Sequence, residues 1–164
     1  MSNTQTRLSL KKVQYSASLS EETSAFTADV YFDGKRLAHA SNRGCGGPTD
    51  IDAYEGQRQR LQEAEEYAKT FPHVGTIHGE PYDFGMHSVE SIVDDLLADY
   101  LTAKDLKRLL KKTVGIVGTK VLQMKVPYSD RAAQAFRRQH PDVVLLNELP
   151  FEEALKAYKA TPGT

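Results

Sequence analysis

Residues 25–50, AFTADVYFDGKRLAHASNRGCGGPTD, constrain what this chain can fold into more than any other stretch. Phe26, Ala28, Val30 and Phe32 alternate with Thr27, Asp29, Tyr31 and Asp33, the period of a strand with one buried face. Asp33-Gly34 then supplies a turn, because both residues tolerate the positive φ that a tight hairpin requires. The return strand over residues 35–41 admits two registers. A two-residue loop sets Leu37 and His39 on the face of Val30; a three-residue loop sets Ala38 and Ala40 there and keeps the histidine out of the core, which is the expected arrangement. Asn42-Arg43-Gly44-Cys45-Gly46-Gly47 follows, and three glycines in four residues cannot prolong a strand. Such a segment turns sharply and brings bare backbone close to something else, either a phosphate held on peptide N–H groups or a neighbouring element of the same chain. The G-x-G-G spacing is not a dinucleotide fingerprint, and no Lys-Ser or Lys-Thr follows as in a phosphate loop.

The same string resembles a pattern in small phage and mobile-element proteins, in which an aromatic strand, a D-G-K turn and an N-x-G-x-G-G segment follow one another. Asp33, Gly34, Lys35, Asn42, Gly44, Gly46 and Gly47 carry the resemblance. It brings no activity with it. It implies an accessory protein working inside a bacterial cell against a host protein or complex, such as a defence system.

With 164 residues the chain holds an ordinary core, and 40% hydrophobic and 26% charged content are those of a globular protein. A formal net charge of −1 recruits neither nucleic acid nor an acidic membrane over the whole surface, so either must be met by a local patch. The single cysteine, Cys45, excludes an intramolecular disulfide and a multi-cysteine metal site. The N-terminal MSNTQTRLSLKK has no apolar core of a signal peptide, and no apolar run reaches membrane-spanning length. The expectation is a cytoplasmic protein with no membrane association.

Before the hairpin, residues 8–19 read as a strand in which Val13, Tyr15, Ala17 and Leu19 share a face, with a bulge at Lys11-Lys12 where Leu8 and Leu10 fall out of phase. After residue 50 the period lengthens. Tyr54, Gln57, Leu61, Ala64, Ala68 and Phe71 form a helical stripe that Pro72 ends, laid across one face of a three-stranded meander. Residues 73–87 show no period and read as an irregular loop. That loop holds His73, His78 and His87 with Glu80 and Asp83, but their intervals match no common zinc pattern.

Ser88 caps a strongly apolar helix, and Thr102-Ala103-Lys104-Asp105 reads as a capping box opening another. The second of these carries Lys104, Lys107, Arg108, Lys111 and Lys112, the chain's dense basic cluster. Its bland reading is a solvated face near a helix C-terminus; its functional reading is a contact for a phosphate backbone, without aromatic residues for base stacking. Gly118-Thr119 turns a hairpin, Ser129 caps a further helix, residues 142–146 form a short buried strand and Pro150 opens the last helix.

The order is that of an α+β fold: an N-terminal antiparallel three-stranded meander with a packed helix, then helices with a second small hairpin and a strand–helix portion. The organisation is a lobe over residues 1–72, a loop over 73–87 and a lobe over 88–164, or a single domain over 7–160. No coherent catalytic set is present, so no catalytic residue, metal or cofactor is assigned. The expected function is a non-catalytic binding or inhibitory protein. Its contacts are Tyr31, Arg36, Asn42, Arg43, Gly44, Gly46 and Gly47, and a protein partner is favoured over nucleic acid. Two alternatives stay open: a small nucleotide-binding protein or enzyme built on the Gly44–Gly47 turn and nearby histidines, and nucleic-acid binding through the basic helix.

Overall fold

The computed structural model describes residues 5–162. The fold is α+β, with helices set against antiparallel sheets. Contacts divide the chain into two compact units, Met1–Ala98 and Asp99–Thr164, so the division falls within a helix.

In the first unit β1 (Leu8–Tyr15), β2 (Phe26–Phe32), β3 (Lys35–Asn42) and β4 (Asp50–Ala53) form one four-stranded antiparallel sheet in chain order. The meander therefore has a fourth strand, added where the chain leaves the glycine turn. Leu8, Phe26, Ala28, Val30, Phe32, Ala38 and Ala40 are buried on its inner face. There α1 (Arg58–Ala68) buries Ala64 and Ala68, sets Tyr67 against Phe32 at 5.9 Å and donates from Arg60 to the Phe32 carbonyl.

Both irregularities of this sheet are readable in physical terms. Lys12 adopts a φ of 53° where the β1–β2 register shifts between Lys11 and Gln14, which is the expected bulge. At the other side of β2 the turn is the two-residue one, closed by Phe32 and Lys35, with Asp33 and Gly34 at φ 50° and 72°. Yet Val30 pairs with Ala38 and Ala28 with Ala40, because the register shifts after Arg36. Leu37 is the inserted residue and is itself fully buried. A tight turn and an alanine-lined core face thus coexist, reconciled by one bulge. Arg7 fixes the turn, donating to both Asp33 carboxylate oxygens at 2.7 and 2.6 Å while lying over Phe32 and Tyr67.

Residues 73–87 are not an irregular loop. They belong to a hairpin, β5 (Pro72–Ile77) and β6 (Glu80–Met86), forming a two-stranded sheet of their own. Its period was hidden because a register shift breaks the alternation and β6 is exposed along its whole length, so neither face carries a clean apolar signal. α2 (Val89–Leu109) is one continuous helix rather than two. Thr102 and Asp105 lie inside it, where the backbone N–H groups already have helical partners and a capping box has nothing to cap. Val89, Ile92, Val93 and Leu97 are its buried residues in the first unit.

The second unit contains the end of α2, then β7 (Val114–Val117), β8 (Lys120–Gln123), α3 (Asp130–Gln139), β9 (Val144–Leu145) and α4 (Phe151–Lys159), with sheet order β8-β7-β9. Leu106, Val114, Leu146, Ala154 and Tyr158 make one core; Ala133, Phe136, Val143 and Leu145 make another. The hairpin turns at Gly118-Thr119 as expected. β9 is buried on one side only: Leu145 is inside while Val144 is exposed. Ser129 caps α3, its hydroxyl accepting from the Ala132 N–H at 3.2 Å.

Candidate functional site

The glycine turn is built from the side chains around it. A 3-10 turn over Ala17–Leu19 follows β1, and the chain then passes under the glycines before entering β2. The Gly44 carbonyl accepts from the N–H groups of Glu21, Glu22 and Thr23 at 3.0, 2.9 and 3.3 Å. Its own N–H donates to Asn42 Oδ1 at 2.8 Å, and the Gly46 N–H donates to Thr23 Oγ1 at 3.3 Å. Asn42 closes the ring: Oδ1 also accepts from Thr23 Oγ1, while Nδ2 donates to the Gly47 carbonyl at 3.0 Å and to Thr49 Oγ1 at 3.3 Å.

Two of the glycines are demanded by this packing. Gly44 is buried at φ 86°, and an added Cβ would lie 2.0 Å from the Leu19 carbonyl oxygen; Gly46 has φ 85°. The backbone at Gly44 is therefore occupied by the protein itself. The N–H groups that a phosphate cradle at Gly44 and Gly46 would use are engaged with Asn42 and Thr23. Arg43, Cys45, Gly46 and Gly47 remain exposed around this sealed centre.

Two hollows flank the turn. One, of about 470 Å³, is bounded by Tyr15, Leu19, Ala25, Phe26, Asn42 and Arg43. Leu19 is 61% exposed there because the 3-10 turn ends β1 at Tyr15 and swings the leucine out of the strand face on which the sequence alternation placed it. The other, of about 230 Å³, lies between Thr23, Asn42, Gly47, Pro48, Thr49 and Asp94 of α2. Thr49 is buried and ties the turn to the helix, donating from Oγ1 to Asp94 at 2.7 Å and from its N–H to Glu90 at 3.1 Å. Burial pushes the Asp94 carboxyl above its ordinary pKa, opposed by the Thr49 bond and reinforced by Glu90 and Asp95.

Tyr31 and Arg36 stand away from the turn, on the sheet's outer face. Lys11 lies over the Tyr31 ring at 4.2 Å. The Arg36 guanidinium is committed to Asp29 at 2.8 Å and to the Tyr54 hydroxyl at 2.7 Å, stacked on the Tyr54 ring. Asp29 is buried, and accepts from Tyr54 at 2.5 Å, with Lys12 at 3.4 Å from Oδ2. Those bonds, led by Arg36 and Tyr54, outweigh burial and hold its pKa down to about 2. Arg36 and Asp29 thus form a structural clasp across a polar sheet face, and the expected contact set separates into this clasp and the Asn42–Gly47 turn.

The chain matches no family model, no curated protein and no solved structure. His39 pairs in register with Asp29 and Asp52 on the outer sheet face, whereas His73 of β5 stacks on His87, just past β6, at 4.3 Å and His78 occupies the turn of the β5–β6 hairpin. Burial, then His73, lowers the His87 pKa, with Asp95 opposing. Among the described residues no three His, Cys, Asp or Glu side chains gather where a metal ion could be held, and no helix is long and apolar enough to cross a membrane.

In the basic cluster, Arg108 is bound to Asp105 and Lys107 lies 5.0 Å from the Phe151 ring centroid, while Lys104, Lys111 and Lys112 are exposed. The sequence alone missed Leu19 as a surface residue, with half-buried Tyr15 beside it. The signal was the run Ala17-Ser18-Leu19-Ser20, too rich in serine to continue a strand.

Proposed function

We propose that this chain is a non-catalytic binding protein that docks a protein partner at the glycine-turn end of its main sheet, as an accessory of the phage or mobile-element kind acting on a host protein or complex. The observation that supports the reading is the hollow of about 470 Å³ between Tyr15, Leu19, Phe26 and Arg43. It is an open apolar depression with a guanidinium at its margin and an exposed leucine beside it. Anchoring side chains at protein interfaces fill such depressions, and arginine and tyrosine are enriched around them. The partner group that fits is an apolar side chain with an acidic neighbour for Arg43. The sealed turn supplies rigidity, so little ordering cost is met on binding.

Capture from the native host tests this reading. The wild-type chain retains a specific protein; Leu19→Asp and Arg43→Glu lose it while keeping wild-type thermal stability. Cys45→Ala and His78→Ala retain it. Loss of the biological effect in Cys45→Ala, with capture intact, would favour catalysis and remove the proposal. A mobility shift of nucleic acid that weakens steeply with salt and vanishes in Lys111→Glu/Lys112→Glu would favour the basic helix instead.

A further inference from the structure

We infer that β5 is a self-pairing edge, through which two copies of this chain join their β5–β6 hairpins into one continuous antiparallel sheet. This surface is separate from the glycine turn and does not depend on the reading above.

The backbone decides which edge is open. His78 and Gly79, at φ 52° and 86°, make a two-residue turn, which is closed by a hydrogen-bonded pair, here Ile77 and Glu80. Bonded and non-bonded pairs alternate along an antiparallel ladder, so Gly75–Tyr82 is the next bonded pair. Thr76 opposite Pro81, and Val74 opposite Asp83, are the non-bonded ones. The N–H and C=O groups of Val74 and Thr76 therefore point to the outer side of β5. On β6 the corresponding outward positions are Asp83 and Pro81, and Pro81 has no N–H to offer. The register shift toward Met86 bends β6 further. Proline and bulges are how proteins guard a sheet edge; β6 has both and β5 has neither along the residues 74–77.

The occupant follows from charge and from Gly75. β5, PHVGTI, contains no Asp, Glu, Lys or Arg, and the acidic Glu80 and Asp83 sit on the far strand. Two antiparallel copies of β5 consequently meet with no like charges opposite one another. The two-fold arrangement that matches the outward groups sets Val74 against Thr76 of the second copy, and Thr76 against its Val74, both as hydrogen-bonded pairs. Gly75 then faces Gly75 on the axis. Phe84 lies over Gly75 so closely that an added Cβ would stand 3.1 Å from its ring. Without side chains at the axis, the two Phe84 rings approach across the glycine pair. Each is already packed by Tyr82 at 4.7 Å and His73 at 4.9 Å. A solitary two-stranded hairpin is marginal in water, and doubling it passes the three-strand threshold for independent stability. The exposed Ile77, Tyr82 and Phe84 gain cover in the same step.

Sedimentation velocity combined with residue-resolved amide exchange on the full chain tests the pairing. With rising concentration the mass moves from one chain to two, and exchange at Val74 and Thr76 slows by roughly tenfold or more while Asp83 is unchanged. Thr76→Pro takes away an outward N–H without removing a bond of the Gly75–Tyr82 pair, and Val74→Lys places a charge on the edge; both keep the protein monomeric with the Gly75–Tyr82 ladder still protected. A wild-type chain that stays monomeric throughout overturns the inference. So does a dimer that survives both substitutions, or protection of Val74 and Thr76 that arises only when another protein is added.

Discussion

At the scale of single residues, the three glycines that look equivalent in the sequence do different things. Gly44→Ala forces a Cβ onto the Leu19 carbonyl at a left-handed φ and is expected to cost at least about 2 kcal/mol in urea denaturation. Gly47 has open space at its Cβ and no positive φ, so Gly47→Ala is expected to stay within about 0.5 kcal/mol of wild type. Equal losses at the two positions would contradict the packing described. Asp29 gives a pH test. Its pKa is lowered from 3.8 to about 2 by Arg36 and Tyr54, so its stabilisation is present in full above the unfolded value and disappears as pH falls through the folded one. Wild type is therefore expected to lose on the order of 1–2 kcal/mol more than Asp29→Asn between about pH 5 and pH 2. Denaturation curves that fall in parallel would remove the clasp as a source of acid sensitivity. Asp29 also shows what single residues conceal: its place in the strand alternation was legible, but Arg36, Tyr54 and Lys12 closing over it depend on two bulges whose consequences appear only in three dimensions.

At the scale of elements, long periodic segments were legible and short or two-sided ones were not. The strand β2, its Asp33-Gly34 turn, the Lys12 bulge and the helix α3 with its Ser129 cap each combine a clear period with a local signal. β4 spans only Asp50–Ala53, too few residues for alternation to register. The β5–β6 hairpin carried a readable turn at His78-Gly79, overlooked because exposed apolar residues on both strands break the inside–outside rule. α2 was divided at Thr102-Asp105 because a capping sequence in mid-helix has the same composition as one at a terminus. The α3 cap offers a direct check. Ser129→Ala leaves the Ala132 N–H without its partner and is expected to cost about 1 kcal/mol, recovered by Ser129→Asp. No loss in thermal or urea unfolding would mean that water serves that group as well as the hydroxyl does.

At the scale of the whole molecule, fold and function separate. An α+β chain with a four-stranded antiparallel sheet supports many activities, so the architecture itself selects none. The proposed docking function rests instead on where the surface is apolar and rigid at once. The sequence pointed to the Asn42–Gly47 turn as bare backbone offered outward; the folded chain instead uses much of that backbone to lock the segment after β1, and the open surface lies beside it at Tyr15, Leu19 and Arg43. The proposed docking surface is tested most directly by quantitative capture of a protein from the native host by wild type, Leu19→Asp, Arg43→Glu and Gly47→Ala. Loss of at least about tenfold in affinity for the first two variants, with Gly47→Ala unchanged, is the predicted result. Undiminished binding by a folded Leu19→Asp/Arg43→Glu double variant would contradict it.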